Sequence, residues 1–351
     1  MTIESVETLI VEQFGACLGR HSERLRVTLK GETLVEAPLL YLRQVIVRSR
    51  GVSLSSDVVE ACAERGIALH VVNGVGLAGG ATLYTAGLGG TVRTRRMQLL
   101  AYLDERGLAL ARAITGAKLS NQAGLLQYAA RSRKENAPDL HEQLIALAGQ
   151  VEAHQMELAG GAWRSVDEAR AALLSIEGRA AQRYWEAAGL LVPAELGWTG
   201  RRARGARDPL NSALNYAYAI LQRAVEQAVV LAGLDPFAGF VHVDRPGKPS
   251  LTLDLMEEFR QSAVDRTVLG LIGNRVALTT LDDAAGQSQG LLDDATRHML
   301  AEKIVARLEE SGERYEGARH TLREIIQSQA RHLAGFVRGD RPEYAGFVAR
   351  W

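Results

Sequence analysis

The spacing of apolar residues changes once along this chain, and that change requires two folding units of different kinds. Up to about residue 90 the apolar residues fall in short β-rich runs. Arg24-Leu-Arg-Val-Thr-Leu29 alternates with period two, as a half-buried strand does, and Thr8–Phe14, Gln44–Arg48 and Ile67–Val72 have the same character. Asp57-Val-Val-Glu60 has the form of a capping box, predicting a helix through Glu64 that Gly66 stops. Gly74–Gly90 is glycine-rich and predicts turns around a short strand at Ala81–Thr85. From Arg95 onward apolar residues recur at the spacing of a buried helical face. Helices are predicted at Met97–Thr115, His141–Ala159, Val166–Ala188, Pro209–Ala232, Ser250–Leu271, Leu291–Ser311 and Arg314–Arg338. The expected fold class is α+β: a small β-rich N-terminal domain, residues 1–92, followed by a larger all-α C-terminal domain, residues 93–351, with the boundary within 88–96. A length of 351 residues suits two domains, and 47% apolar residues supply their cores.

Several function classes drop out. The longest apolar stretches, such as Gln227–Leu234, are too short to span a bilayer, and the N-terminus lacks the basic start and apolar core of a secretion signal. Two cysteines, Cys17 and Cys62, give neither a disulfide framework nor a metal knuckle, so the expected setting is cytoplasmic and away from membranes. Gly74-Val-Gly76-Leu-Ala-Gly79 matches a dinucleotide fingerprint, but strand-forming residues follow it where a helix N-terminus would have to hold the pyrophosphate. These are read as turn glycines.

The segment that carries chemistry is Gly239-Phe-Val-His242 through Ser250-Leu-Thr-Leu-Asp254-Leu-Met-Glu257-Glu-Phe-Arg260. Arg245-Pro-Gly-Lys248-Pro forces a turn, and Ser250 is the expected N-cap of the helix that follows. Asp254 and Glu257, three residues apart, share a face of that helix, and His242 can fold back over it. Two carboxylates and an imidazole suit Mg²⁺ or Mn²⁺, the nitrogen shifting the balance towards Mn²⁺. Spacing alone leaves this open, because carboxylates early in a helix also favour its dipole.

Net charge is zero, yet basic residues cluster at Arg93, Arg95 and Arg96, at Arg131, Arg133 and Lys134, and at Arg201, Arg202, Arg204 and Arg207. With Arg245 and Lys248 in the turn, they are candidates for DNA-backbone contacts, which position a duplex without reading its sequence.

The ordered strings Asp208-Pro-Leu-Asn211…Leu214-Asn-Tyr-Ala-Tyr218, Gly233-Leu-Asp-Pro236…Gly239-Phe-Val-His242 and Ser250-Leu…Asp254-Leu-Met-Glu257-Glu-Phe-Arg260 resemble the CRISPR-associated endonuclease of spacer acquisition, the Cas-one family. Gly51-Val-Ser-Leu-Ser-Ser-Asp57 with Gly66-Ile, Gln98, Lys118…Asn121-Gln122, and Ile176-Glu-Gly178…Tyr184-Trp185 extend the resemblance over nearly the whole chain. It implies a metal-dependent DNA endonuclease and integrase that inserts spacers by 3′-hydroxyl attack on a phosphodiester. It also implies a homodimer formed through the β-rich domain, a small Cas-two partner, and double-stranded and branched DNA as substrate. Carried over, the catalytic set is Glu177, His242, Asp254 and Glu257; Glu177, His242 and Glu257 are metal ligands and Asp254 an acidic neighbour. The fused cysteine-rich nuclease module of some members is missing, which implies a stand-alone integrase. A structure-specific repair nuclease and a non-catalytic DNA-binding scaffold are the competing readings.

Overall fold

A computed structural model describes residues 8–351 except 43, 48, 50, 74–75, 84–90, 283–287 and 311. The chain forms two compact units, Met1–Gly89 and Gly90–Trp351.

In the first unit, β1 (Thr8–Val11), β5 (Gln44–Val47) and β7 (Ala68–Asn73) pair in parallel, and β8 (Gly76–Leu83) adds antiparallel to β7. A second sheet runs β4 (Glu32–Pro38), β3 (Arg24–Leu29), β2 (Cys17–His21), β6 (Ser53–Leu54). Helix α1 (Ser56–Arg65) contributes Val58, Ala61 and Cys62 to the core cluster that contains Leu9 and Val45 of one sheet and Leu18, Leu25 and Val27 of the other. Leu25 and Val27 of β3 are thus buried at alternate positions, as its pleat requires. Three strands, β2, β4 and β6, were not anticipated: β4 and β6 are the edges of their sheet, and β2, between β3 and β6, carries Gly19, Arg20 and His21 among its five residues. The capping-box expectation also fails in detail: the N-cap is Ser55, without a side-chain cap bond, and Asp57 lies inside the first turn. Gly66 ends the helix as expected, at φ 67°. The expected strand at Ala81–Thr85 corresponds to β8, which starts earlier, at Gly76; Thr85 lies outside the described residues. Gly76, Gly79 and Gly80 thus lie within a strand rather than in the expected turns, and the fingerprint glycines open no helix.

The second unit is mostly helical. It comprises α2 (Thr91–Ala101), α3 (Glu105–Arg131), α4 (Pro138–Gly160), α5 (Val166–Gly189), α6 (Pro209–Leu231), α7 (Ser250–Met256), α8 (Arg266–Gly273), α9 (Asp294–Glu309) and α10 (Leu322–Arg338). Caps written in the sequence set several starts: Asp104 on α3, Ser165 on α5, Asp208 ahead of Pro209 on α6, and a Thr321/Glu324 capping box on α10. Two hairpins interrupt the expected all-helical pattern. They are β9 (Thr280–Asp282) with β10 (Ser288–Leu292), and β11 (Glu313–Tyr315) with β12 (Ala318–His320). The second turns at Glu316-Gly317, both at positive φ (46° and 87°), the conformation a two-residue hairpin loop demands. Among the described residues no helix is long and apolar enough to cross a membrane.

The C-terminal segment beyond α10 is tied to the helices beneath it. Glu258, fully buried, accepts from Tyr344 Oη (2.6 Å), Phe347 N (2.8 Å) and Gln329 Nε2 (2.8 Å). Asn121 on α3 donates to the carbonyls of Glu258 and Phe347 and accepts from Ala349 N. A Cβ at Gly124 would lie 2.2 Å from Trp351 Nε1, so α3 needs glycine there for the terminal indole to pack. Burial pushes Glu258 from 4.5 up to about 7 against its three hydrogen bonds. Between those values the folded chain holds a proton the unfolded chain has lost, so folding stability falls as pH rises through that window. Glu258→Gln should flatten that decline, narrowing it by on the order of 2–3 kcal/mol in denaturant titrations from pH 4.5 to 7.5. A Gln variant with the wild-type slope would place the titrating proton elsewhere.

Candidate active site

The site is built where the long helix expected from Ser250 breaks. Ser250 is the first residue of α7 rather than its cap; its hydroxyl donates to the Val243 carbonyl (3.3 Å), tying the helix to the turn before it. After Met256 the backbone tightens: Glu257, Glu258 and Phe259 N–H groups donate to carbonyls three residues back. The chain then widens into a π-helical stretch, Arg260–Asp265, before α8. Such irregular turns recur at functional sites. Here the break separates neighbouring carboxylates: Glu258 enters the C-terminal network, and Glu257 faces α3.

Asp254 is fully buried and holds the loop carrying His242. Its carboxylate accepts the backbone N–H groups of Phe240 (2.6 Å), Val241 (2.9 Å) and His242 (2.9 Å), and pairs with His242 Nδ1 (2.7 Å). A Cβ at Gly239 would meet Asp254 Oδ2 at 2.8 Å, so the loop approaches this closely only with glycine. Gln98 on α2 clamps the loop from outside, donating to the carbonyls of Asp235 and Ala238 and accepting from Asp235 N. Asp254 and Glu257 therefore do not act as a pair on one helix face. Asp254 orients the imidazole, and with Nδ1 engaged, Nε2 is the nitrogen left for a cation or a proton.

Glu177 on α5 and Glu257 meet at one atom, the Lys118 ammonium of α3. Lys118 Nζ bonds Glu177 Oε1 and lies 2.7 Å from Glu257 Oε2, while Arg260 Nε lies 3.0 Å from Glu257 Oε1. Burial works against the Lys118 charge, and the two carboxylates outweigh it, so its pKa stands above the ordinary lysine value despite Arg260. Burial likewise opposes ionised Glu257; Arg260, Lys118 and His242 together pull its carboxyl down to about 2. Burial depresses His242, but the hydrogen bond and charge of Asp254, with the charges of Glu257 and Glu177, leave its pKa raised.

The donors suit a hard divalent cation. Glu257 Oε2 is buried without an acceptable hydrogen bond despite its short distance to Lys118, and Glu177, Glu257 and His242 act on one another electrostatically. Among the described residues no three acidic, His or Cys side chains stand close enough to form a ready-made metal cluster. The place where the two glutamates converge is taken by Lys118.

Behind this layer Asp265 accepts from Tyr184 and Tyr218, and the Arg260 and Arg201 guanidiniums lie 4.6 Å and 5.3 Å from the Tyr218 ring centroid. Arg201, expected in a DNA-binding loop, is thus largely committed: it also bonds Asn211 and Asn215, and burial lowers its pKa. Arg131 donates to the Trp351 carbonyl and Arg133 to that of Ala129. Arg95 and Lys248 are half-buried, whereas Arg93, Arg96, Lys134, Arg202, Arg204, Arg207 and Arg245 are exposed.

The family model for CRISPR associated protein Cas1 matches residues 9–306. A CRISPR-associated endonuclease Cas1 of Archaeoglobus fulgidus is 38% identical over 98% of this chain and 99% of its own length. The chain belongs to the Cas1 family. A Thermus thermophilus Cas1 endonuclease is 33% identical, with 95% of both chains covered. Among solved structures, a Cas1 protein from Thermotoga maritima matches at TM-score 0.74 and 20% identity, covering 97% of this chain and 99% of that one. A casposase bound to integration product matches at TM-score 0.79 and 20% identity, covering 97% and 93%. Both carry the same fold as this Cas1-family chain. Within that fold, sequence spacing singled out His242, Asp254 and Glu257, and the family resemblance added Glu177. Lys118 was noted only as part of the resemblance, and Arg260 only as the end of a motif. A basic residue at a buried position of a helix that packs on other helices was the signal available for Lys118.

Proposed function

We propose that the chain is a metal-dependent DNA endonuclease and integrase, which joins spacer DNA to a CRISPR array by attack of a 3′-hydroxyl on a phosphodiester. The observation that carries this reading is the meeting of Glu177 and Glu257, from separate helices, beside an imidazole that Asp254 orients, in a chain of the Cas1 family. Glu177, His242 and Glu257 would hold Mg²⁺ or Mn²⁺, which when bound polarises phosphoryl oxygens and makes the attacking hydroxyl more acidic. Asp254 fixes the ring that presents Nε2, and Arg260 balances the charge of Glu257. Exposed Arg93, Arg96, Arg202, Arg204 and Arg245 are suited to backbone phosphates, which any spacer sequence offers.

Relatives support the reading. The Archaeoglobus protein is named an endonuclease, and the casposase was solved bound to integration product. A Cas6-RT-Cas1–Cas2 complex matches at TM-score 0.75 and 18% identity, the chain covering 37% of it. This favours a Cas2 partner here; a homodimer as the assembling unit is what the family resemblance implies. The reading is tested with DNA bearing a free 3′-hydroxyl and a repeat-containing target. Strand-transfer product should form with Mn²⁺ or Mg²⁺, vanish on chelation, and stay absent for His242→Ala. Undiminished product in chelator would end the metal-dependent reading; hydrolysis without joining would favour a repair nuclease.

A further inference from the structure

A lysine between two carboxylates does what a bound cation does. Lys118 and Glu257 are almost fully buried, Lys118 Nζ contacts both Glu177 and Glu257, and Arg260 contacts the other oxygen of Glu257. Lys118 and Arg260 therefore match Glu177 and Glu257 charge for charge. Buried charges must be paired, and this pairing already does it. A divalent cation arriving at these carboxylates meets no uncompensated negative charge. It has to displace the ammonium from at least one oxygen, and it leaves an excess of positive charge in a low-dielectric site.

We propose that Lys118 is an internal counter-ion that makes metal binding at Glu177 and Glu257 conditional on DNA. A backbone phosphate supplies the missing negative charge and gives the displaced ammonium a new partner. Metal and DNA then bind cooperatively, and linkage makes the effect reciprocal: each raises affinity for the other by the same factor. The site stays closed to metal until a phosphodiester is present.

The inference rests on the metal reading of Glu177, His242 and Glu257, and the test separates the two. Free Mn²⁺ is followed by electron paramagnetic resonance during titration of the full chain, with and without a DNA duplex. Wild type should gain about 10-fold or more in Mn²⁺ affinity when duplex is added. Lys118→Met should bind Mn²⁺ at least about 10-fold tighter than wild type without DNA and gain little from duplex. Lys118→Gln, which keeps a polar group between the glutamates, should fall between them. Because Lys118→Met leaves Glu177 without the ammonium and Glu257 with Arg260 alone, Mn²⁺ should raise its unfolding temperature more than it raises that of wild type. Wild-type Mn²⁺ affinity that ignores DNA overturns the proposal without need of any variant. So does a Lys118→Met or Lys118→Gln protein that binds Mn²⁺ no better than wild type. If Glu257→Gln in the Lys118→Met background leaves Mn²⁺ binding intact, the metal sits elsewhere and the metal reading itself falls.

Discussion

Glu257→Gln should lose strand transfer beyond the roughly 10–100-fold that removing an outer partner of a metal ligand costs, and excess Mn²⁺ should not restore it. The amide preserves shape but removes the charge that both Lys118 and Arg260 face at 2.7 Å and 3.0 Å. Lys118 retains Glu177, so the stability loss should be on the order of 2–4 kcal/mol, towards the low end of the about 3–5 kcal/mol that breaking a buried pair costs. Thermal unfolding measured beside strand transfer separates the two effects. The variant should unfold cooperatively at a lowered temperature, bind duplex DNA in chelator as wild type does, and give no joined product in Mn²⁺ where wild type is fully active. Recovery of joining at high Mn²⁺ would make Glu257 a supporting group and return the ligand role to Asp254.

Sequence reading went furthest where local chemistry sets the structure. The starts of α5 at Val166 and α6 at Pro209 and the stop at Gly66 were legible because a single side chain or a glycine decides each, whereas the helix expected over Met97–Thr115 is broken between α2 and α3, where Asp104 caps the second. The break after Met256 was not legible. No proline or glycine lies between Ser250 and Asp265, and an uninterrupted helix was the economical expectation. Its cause is tertiary: Glu258 is anchored by Tyr344, Phe347 and Gln329, near the other end of the second unit's sequence. The Glu316-Gly317 hairpin was a different kind of miss, since a two-residue turn signal was present but overridden by the helical pattern around it.

The candidate site divides in the same way. His242, Asp254 and Glu257 lie within one segment, and their residue types announce cation chemistry. What spacing could not supply was which carboxylate does what. A shared helix face made Asp254 and Glu257 look equivalent, whereas the fold turns one towards the His242 loop and the other towards Lys118. Glu177 and Lys118 come from other helices, and only packing of α3, α5 and the α7 break brings their charges together.

Asp254→Ala should therefore be chiefly a folding defect. Four donors end on this fully buried carboxylate: three consecutive backbone N–H groups and the imidazole of His242. Alanine strands the buried donors, and each unsatisfied group costs about 1–3 kcal/mol. Some relaxation will let water in, so a total on the order of 3–6 kcal/mol is expected, a large part of the roughly 5–15 kcal/mol that holds a typical domain. The loss should appear as a much lower unfolding temperature and as faster amide exchange at Phe240, Val241 and His242. Strand transfer should fall with it and recover only in part at high Mn²⁺, because metal can favour the ordered loop but cannot replace the three backbone acceptors. Asp254→Asn retains one acceptor oxygen and should lie between alanine and wild type in stability. An Asp254→Ala protein that unfolds at the wild-type temperature with normal exchange, yet cannot join DNA, would show the opposite division of labour, with Asp254 acting in the chemistry and the loop held by something else.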